Sequence, residues 1–230
     1  MKLAIMMTGG IDSTTLLYQA MKLKEHAGVD EVVLLYVNYG QAAAHTERGN
    51  VMHHAALTGC EVATLRYEYA CGAEELSTRN FNPPLVHDPD DPDYYEGEEM
   101  LYPDTHVEGR NAIMVTNCLA WCAQNKVDEL WAGYTFSAYD WSCRRKYKLA
   151  TCDNGPDFVD AMNLVSKYGF SYQTRFRAPF MDSRWTKSDV VELAEELEVD
   201  LSHTYSCYHE TPCGKCDNCF LREKTLKEDI

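Results

Sequence analysis

Short apolar runs alternate along the chain with longer stretches of helical period, the pattern of βα units wound around a parallel sheet. Residues 2–7 read as a first strand, 13–24 as a helix and 31–37 as a second strand. A helix is expected over 47–57, where Val51, Ala55 and Ala56 share one side, and Gly59 stops it ahead of a strand over 62–67. A helix over 111–124 and a strand over 129–133 follow. Pro156 opens a helix reaching 165 from the first-turn position it favours. Residues 175–179 read as a short strand, and Thr186 caps a helix over 187–197. This order predicts an α/β fold, doubly wound on a mainly parallel sheet, without internal repeats.

The 230 residues suit one large domain with a small appendage, divided here as 1–200 and 201–230. Hydrophobic residues make up 45% and charged residues 25%, ordinary for a globular chain. No run approaches the roughly 18 apolar residues of a membrane span, and the start leads into a strand rather than a cleavable signal, so a cytoplasmic location is expected. With 21 Lys and Arg against 36 Asp and Glu, the net charge of −15 repels a nucleic-acid backbone and argues against a large RNA partner. Eight acids, from Asp88 to Asp104, fall in one stretch without a base. That stretch lies in a loop over 71–108 containing Pro83, Pro84, Pro89, Pro92 and Pro103, read either as a solvated excursion or as an active-site lid.

The strongest chemical signal is Met7-Thr8-Gly9-Gly10-Ile11-Asp12-Ser13-Thr14, between an apolar strand and a helix. Two glycines let the backbone turn without a Cβ in the way, and the first amides of the next helix point unpaired at the turn. Those amides and the helix dipole favour an anion, while Thr8, Ser13 and Thr14 offer hydroxyls to phosphate oxygens. Asp12 fits as a Mg²⁺ ligand or as a cap on the turn. The Gly-Lys-Ser/Thr ending of a Walker A loop is missing, which argues against γ-phosphoryl transfer.

Near the C-terminus, Cys207, Cys213, Cys216 and Cys219 supply four thiolates within thirteen residues. Four cysteines complete a tetrahedral shell, so a structural zinc is expected, with an iron–sulfur cluster or two disulfides as alternatives. Lys215, Arg222 and Lys224 are placed to offset the excess negative charge. His203 and His209 read as bystanders. Cys118 and Cys122, four apart on a helix, read as core, and Cys60, Cys71, Cys143 and Cys152 show no partner spacing.

Residues 8–13 resemble the Ser-Gly-Gly-X-Asp-Ser signature of the PP-loop ATP-pyrophosphatases, with Thr8 keeping the hydroxyl of the usual serine. The resemblance implies an adenine nucleotide alpha hydrolase-like fold and cleavage of ATP between its α and β phosphates. Loop and cysteines together resemble the 7-cyano-7-deazaguanine synthases. So do Tyr39-Gly40-Gln41, Gly109-Arg110-Asn111, Phe136-Ser137-Ala138-Tyr139, Ala178-Pro179-Phe180, Thr186-Lys187 and Ser206-Cys207-Tyr208, in order along the chain. That family implies a zinc-containing homodimer that adenylates 7-carboxy-7-deazaguanine with ATP and Mg²⁺, then uses ammonia and a second adenylation to form the nitrile. By this resemblance Asp12, Ser13, Arg110 and Lys187 are catalytic candidates. Met7, Thr8, Gly9, Gly10, Asp12, Ser13, Thr14, Gln41, Gly109, Arg110 and Asn111 would bind ATP, and Phe136, Ser137, Tyr139 and Arg144 the deazapurine, with Arg145 a further cation. Departures from the family pattern gather at 133–145, and Glu108 stands where a proline is usual. They keep open transfer to another amine, such as a protein N-terminus. Two more functions stay open, a PP-loop tRNA-modifying enzyme and a zinc-stabilised interaction module.

Overall fold

A computed structural model describes residues 1–26, 28–67, 109–136, 153–214 and 216–227. The acidic loop, Ser137, Tyr139, Arg144, Arg145, Cys71, Cys143, Cys152 and Lys215 lie outside these residues. The chain begins β1 (Lys2–Met6), α1 (Ile11–His26), β2 (Glu31–Asn38), α2 (Ala44–Thr58) and β3 (Glu61–Arg66). It resumes with α3 (Arg110–Gln124), β4 (Glu129–Trp131), α4 (Pro156–Gly169), β5 (Arg175–Arg177), α5 (Pro179–Asp182) and α6 (Lys187–Glu196). A 3-10 turn (Leu201–His203) and α7 (Asp217–Lys227) follow.

The described strands pair in the order β3-β2-β1-β4-β5, all parallel, with Leu3 opposite Val32 on one side and Glu129 on the other. Alternate side chains of these doubly buried strands feed two cores. Leu3, Ile5, Val32, Leu34 and Tyr36 pack with α1, α2 and α6, while Ala4, Met6, Val33, Leu35 and Leu130 pack with α3 and α4. The chain winds from β1 outward to β3, then returns to the far side of β1 at β4. Neighbouring strands there lead in opposite directions, and a crevice opens at their carboxyl ends. No helix among the described residues is long and apolar enough to cross a membrane.

The expected punctuation holds where local chemistry sets it. Gly59 closes α2 in the left-handed conformation at φ 69°, Pro156 opens α4, and Thr186 forms a reciprocal capping box with Asp189. Several boundaries move, among them the end of β4, at Trp131 rather than 133, and the end of α4, at Gly169 rather than 165. Helices α1 and α2 begin earlier than expected, at Ile11 and Ala44, where local bonds from Thr14 N to Gly10 O and from Ala44 N to Gln41 O close their first turns. Strand β5 ends at Arg177, and Pro179 starts a four-residue helix instead of finishing a strand, its fixed φ suiting a first helical turn. Cys118 and Cys122 are fully buried, and burial pushes the Cys122 thiol up to about 12, consistent with inert core packing.

Candidate active site

Strand β1 delivers the phosphate loop to the crevice. Thr8 N and Thr8 Oγ1 both reach Ser13 Oγ, at 3.2 and 3.1 Å, and the serine hydroxyl donates to Gly10 O at 3.2 Å. Gly10 N donates to Thr8 Oγ1 at 3.3 Å, so the bend is shaped by its own hydroxyls. The α1 ladder begins with Thr14 N to Gly10 O at 3.0 Å, leaving the amides of Ile11, Asp12 and Ser13 ahead of it. Thr14 itself is fully buried, with Oγ1 enclosed and unpartnered among the described residues.

The glycines serve close approach as well as turning. Gly9 sits at φ 75°, and a Cβ there would lie 2.8 Å from Glu47 O of α2. A Cβ on Gly133, just past β4, would lie 3.0 Å from Ser13 N. Gly9→Ala is therefore expected to lower stability by about 2 kcal/mol, from strain and from the clash, and to weaken nucleotide binding at least tenfold. Urea titration with and without ATP checks both effects.

On one side of the loop, Lys187 Nζ, in the first turn of α6, lies 2.6 Å from both carboxylate oxygens of Asp12. Phe136 joins this side, its amide donating to Trp185 O at 2.8 Å and its ring 5.9 Å from the Arg184 guanidinium. On the other side a cavity of about 240 Å³ is lined by Met7, Thr8, Gln41, Arg110 and Asn111. The loop thus separates the residues expected around it into two groups.

The cavity also contains Tyr39, Glu47, Tyr208 and Asn218, none of which was among the residues expected to bind a ligand. Gly109, at φ 67°, turns the chain so that Arg110 begins α3 there. Burial works against the Arg110 charge, but Tyr39, Tyr208 and Asp153 hold its pKa above the usual value, Tyr39 through a hydrogen bond as well. Gln41 Nε2 donates to Glu47 Oε2 at 2.7 Å, while its Oε1 accepts from Tyr39 N at 3.0 Å. The six-residue interval between Gln41 and Glu47 places both over the end of β2. That interval was the available signal for Glu47.

The four C-terminal cysteines converge, with their sulfurs all within 4.8 Å of one another and the Cys207–Cys216 and Cys213–Cys219 pairs each at 3.9 Å. A tetrahedral zinc with 2.3 Å bonds spaces its sulfurs by about 3.8 Å, so the set fits a metal ion. Amides of His209 and Cys213 donate to Cys207 Sγ, both at 3.4 Å, the kind of support a thiolate ligand needs. His203 turns away, its Nδ1 2.8 Å from Asp200 Oδ2 and its ring stacked 3.8 Å from that of His53. Arg222 donates to Thr204 Oγ1 and Leu201 O at 2.6 and 2.9 Å, and burial lowers its pKa, an effect that nearby Cys219 opposes in part.

This segment is built into the site. Tyr205 N donates to Gly9 O at 2.8 Å, Thr46 Oγ1 of α2 donates to Glu210 O at 2.8 Å, and Tyr208 and Asn218 wall the cavity.

Compared with known proteins, residues 2–229 match a family model described as "Queuosine biosynthesis protein QueC". The chain belongs to the QueC family. Among QueC relatives, the "7-cyano-7-deazaguanine synthase" of Methanocaldococcus jannaschii is 28% identical, over 98% of this chain and 94% of its own. The protein of the same name from Coxiella burnetii (strain Dugway 5J108-111) is 31% identical, over 99% and 93%. Among solved structures, the U34-tRNA thiolase NcsA from Methanococcus maripaludis, determined with its [4Fe-4S] cluster, superposes with a TM-score of 0.53 at 16% identity. This chain is covered to 99% and spans 65% of the thiolase, a likeness of fold alone.

Proposed function

We propose that this QueC-family protein is an ATP-dependent ligase that converts 7-carboxy-7-deazaguanine to 7-cyano-7-deazaguanine with ammonia. The observation that carries the reading is the end-to-end match to QueC together with an α1 terminus whose first amides precede the helical ladder. The substrate carboxylate attacks the α-phosphorus of ATP and the bond to the β-phosphate oxygen breaks. Pyrophosphate departs onto the amides of Ile11, Asp12 and Ser13, where the helix dipole and preorganised donors stabilise the developing charge. Ammonia displaces AMP from the acyl adenylate and loses a proton, giving the amide. The amide oxygen attacks the α-phosphorus of a second ATP with release of pyrophosphate, and loss of AMP and of the two amide N–H protons gives the nitrile.

Gln41, Gly109, Arg110 and Asn111 bind the nucleotide, and Arg110 sets a cation beside it. Lys187 leaves Asp12 for a phosphate oxygen when ATP arrives. Mg²⁺ held by Asp12 would supply further charge neutralisation on the phosphates. Phe136, Ser137, Tyr139 and Arg144 form the acceptor side. Zinc occupies the four-cysteine site as a structural ion, residues 1–200 form the catalytic domain and 201–230 the zinc segment, and the protein works as a cytoplasmic homodimer.

Incubation with ATP, Mg²⁺, 7-carboxy-7-deazaguanine and ammonia, followed by mass spectrometry, is expected to show the nitrile with AMP and pyrophosphate. AMP and pyrophosphate without nitrile, rising on addition of another amine, would replace ammonia as the acceptor. No adenylation at all would refute the reading.

A further inference from the structure

His203 turns from the four cysteines toward a second group of metal-ligating side chains. Its Nδ1 lies 2.8 Å from Asp200 Oδ2, and its ring stacks on that of His53 at 3.8 Å, with 7° between the planes. One ligand atom from each of His53, Asp200 and His203 falls within 4.8 Å of the others. His53 belongs to α2, whereas Asp200 and His203 bracket the 3-10 turn that leads into the cysteine segment. The group thus joins elements from opposite ends of the chain.

The frame around these three residues is fixed by other bonds. His54 is fully buried, with Nδ1 3.1 Å from the Tyr18 hydroxyl and Nε2 3.0 Å from His203 O. Burial lowers the His54 pKa, so the ring stays neutral, with Nε2–H donating to His203 O and Nδ1 accepting from Tyr18. Asp200 Oδ1 accepts from Ser202 N at 3.0 Å and from Ser202 Oγ at 2.6 Å, which holds the carboxylate at the head of the turn. Arg222 anchors the same turn through Leu201 O and Thr204 Oγ1. His53 is the member left unsatisfied. Its Nε2 is enclosed and has no hydrogen-bond partner among the described residues, a cost that a ligand on the ring would relieve.

Imidazole nitrogens and carboxylate oxygens bind a metal at about 2.0–2.2 Å, which spaces neighbouring ligand atoms by about 3–3.5 Å. The distance of 2.8 Å from His203 Nδ1 to Asp200 Oδ2 is already close to that spacing. His53 joins them by a turn of its ring about the last torsion, which is broad in histidine. Two imidazoles with one carboxylate suit zinc, cobalt or nickel, whereas magnesium prefers an all-oxygen shell. Asp200 and His203 are about half exposed, so an ion enters from solvent and water completes its shell.

We propose that His53, Asp200 and His203 bind a divalent ion of the zinc, cobalt and nickel group, separate from the four-cysteine site, and that this ion clips the turn to α2. Two residues past His203, Tyr205 N donates to Gly9 O, and the Glu47 oxygen of α2 packs against the same glycine. The ion therefore braces both supports of the phosphate loop.

The test is a titration of the zinc-loaded full chain with Co²⁺, without nucleotide and with excess Mg²⁺ to occupy solvent-exposed carboxylates. Calorimetry is expected to show one further equivalent of Co²⁺ per chain, with the weak visible bands of a nitrogen and oxygen shell. Saturating Co²⁺ should raise the melting temperature by about 5 °C. His53→Ala, His203→Ala and Asp200→Asn should each weaken this binding at least about tenfold with the zinc content unchanged. In Asp200→Asn the amide oxygen still accepts from Ser202, so the turn keeps its cap while the ligand charge is lost. Melting without cobalt reports whether each variant folds, and His53→Gln repeats the measurement with a side chain of similar length if the alanine variant does not. Three results overturn the proposal: no further cobalt bound, cobalt bound with the intense sulfur-to-metal charge transfer of the cysteine site alone, or unchanged affinity after replacement of any one of the three residues.

Discussion

Asp12→Ala is expected to lower ATP-dependent pyrophosphate release by at least about a hundredfold while leaving the fold and metal content unchanged. The two halves of that expectation have separate causes. Asp12 meets Lys187 at 2.6 Å through both oxygens, but the side chains are 29% and 30% exposed, so water screens the pair. Breaking it costs about 1 kcal/mol or less. Activity depends instead on where the two charges stand when the triphosphate enters, at the first turn of α1 and the first turn of α6. Without the carboxylate, the phosphates lose their metal partner and Lys187 loses the group that holds it beside the loop. Lys187→Ala should be nearly as damaging, and the double variant no worse than the more damaging single, because the residues act as a unit. A coupled pyrophosphate assay with thermal melting and metal analysis decides the matter. Retained activity in Asp12→Ala removes it from the metal role.

Cys216→Ser is expected to abolish metal binding and lower the melting temperature by about 10 °C or more, or leave the chain insoluble. Cys216 is 1% exposed and 3.9 Å from Cys207 Sγ, so the exchange puts a hydroxyl, a poor ligand for a soft site, where a thiolate is required. Structural zinc contributes about 10 kcal/mol or more in small domains, so its loss outweighs the margin of most folds. The consequence reaches the active site, because the segment from Tyr205 to Asn218 supplies a hydrogen bond to Gly9 and two walls of the cavity. Nucleotide-dependent stabilisation should therefore vanish with the metal. Chelation of wild type should reproduce both losses, read by elemental analysis and calorimetry. A stable, metal-free and active Cys216→Ser refutes the structural role.

The relatives place these predictions in a family named for queuosine biosynthesis, and the unusual residues at 133–136 gain a physical meaning. Gly133 stands so close to the start of α1 that an added Cβ would lie 3.0 Å from Ser13 N.

By itself the sequence determined the features written in short-range chemistry. The continuous apolar runs of β1 and β2, the left-handed stop at Gly59, the Thr186 cap, the glycine bend and the cysteine spacing each depend on residues within about a dozen positions of one another, so each leaves a local mark. The start of α5 at Pro179 was missed because a proline's fixed φ suits the end of an edge strand as well as a first helical turn, and the helix α7 carrying Cys219 because its sequence carries little helical periodicity. Only the tertiary structure set Tyr205 against Gly9, Lys187 on Asp12, and Glu47 across from Arg110 over one cavity. Those contacts join residues tens to nearly two hundred positions apart, where loop closure leaves no periodicity or cap to read, and the order of the strands decides who meets.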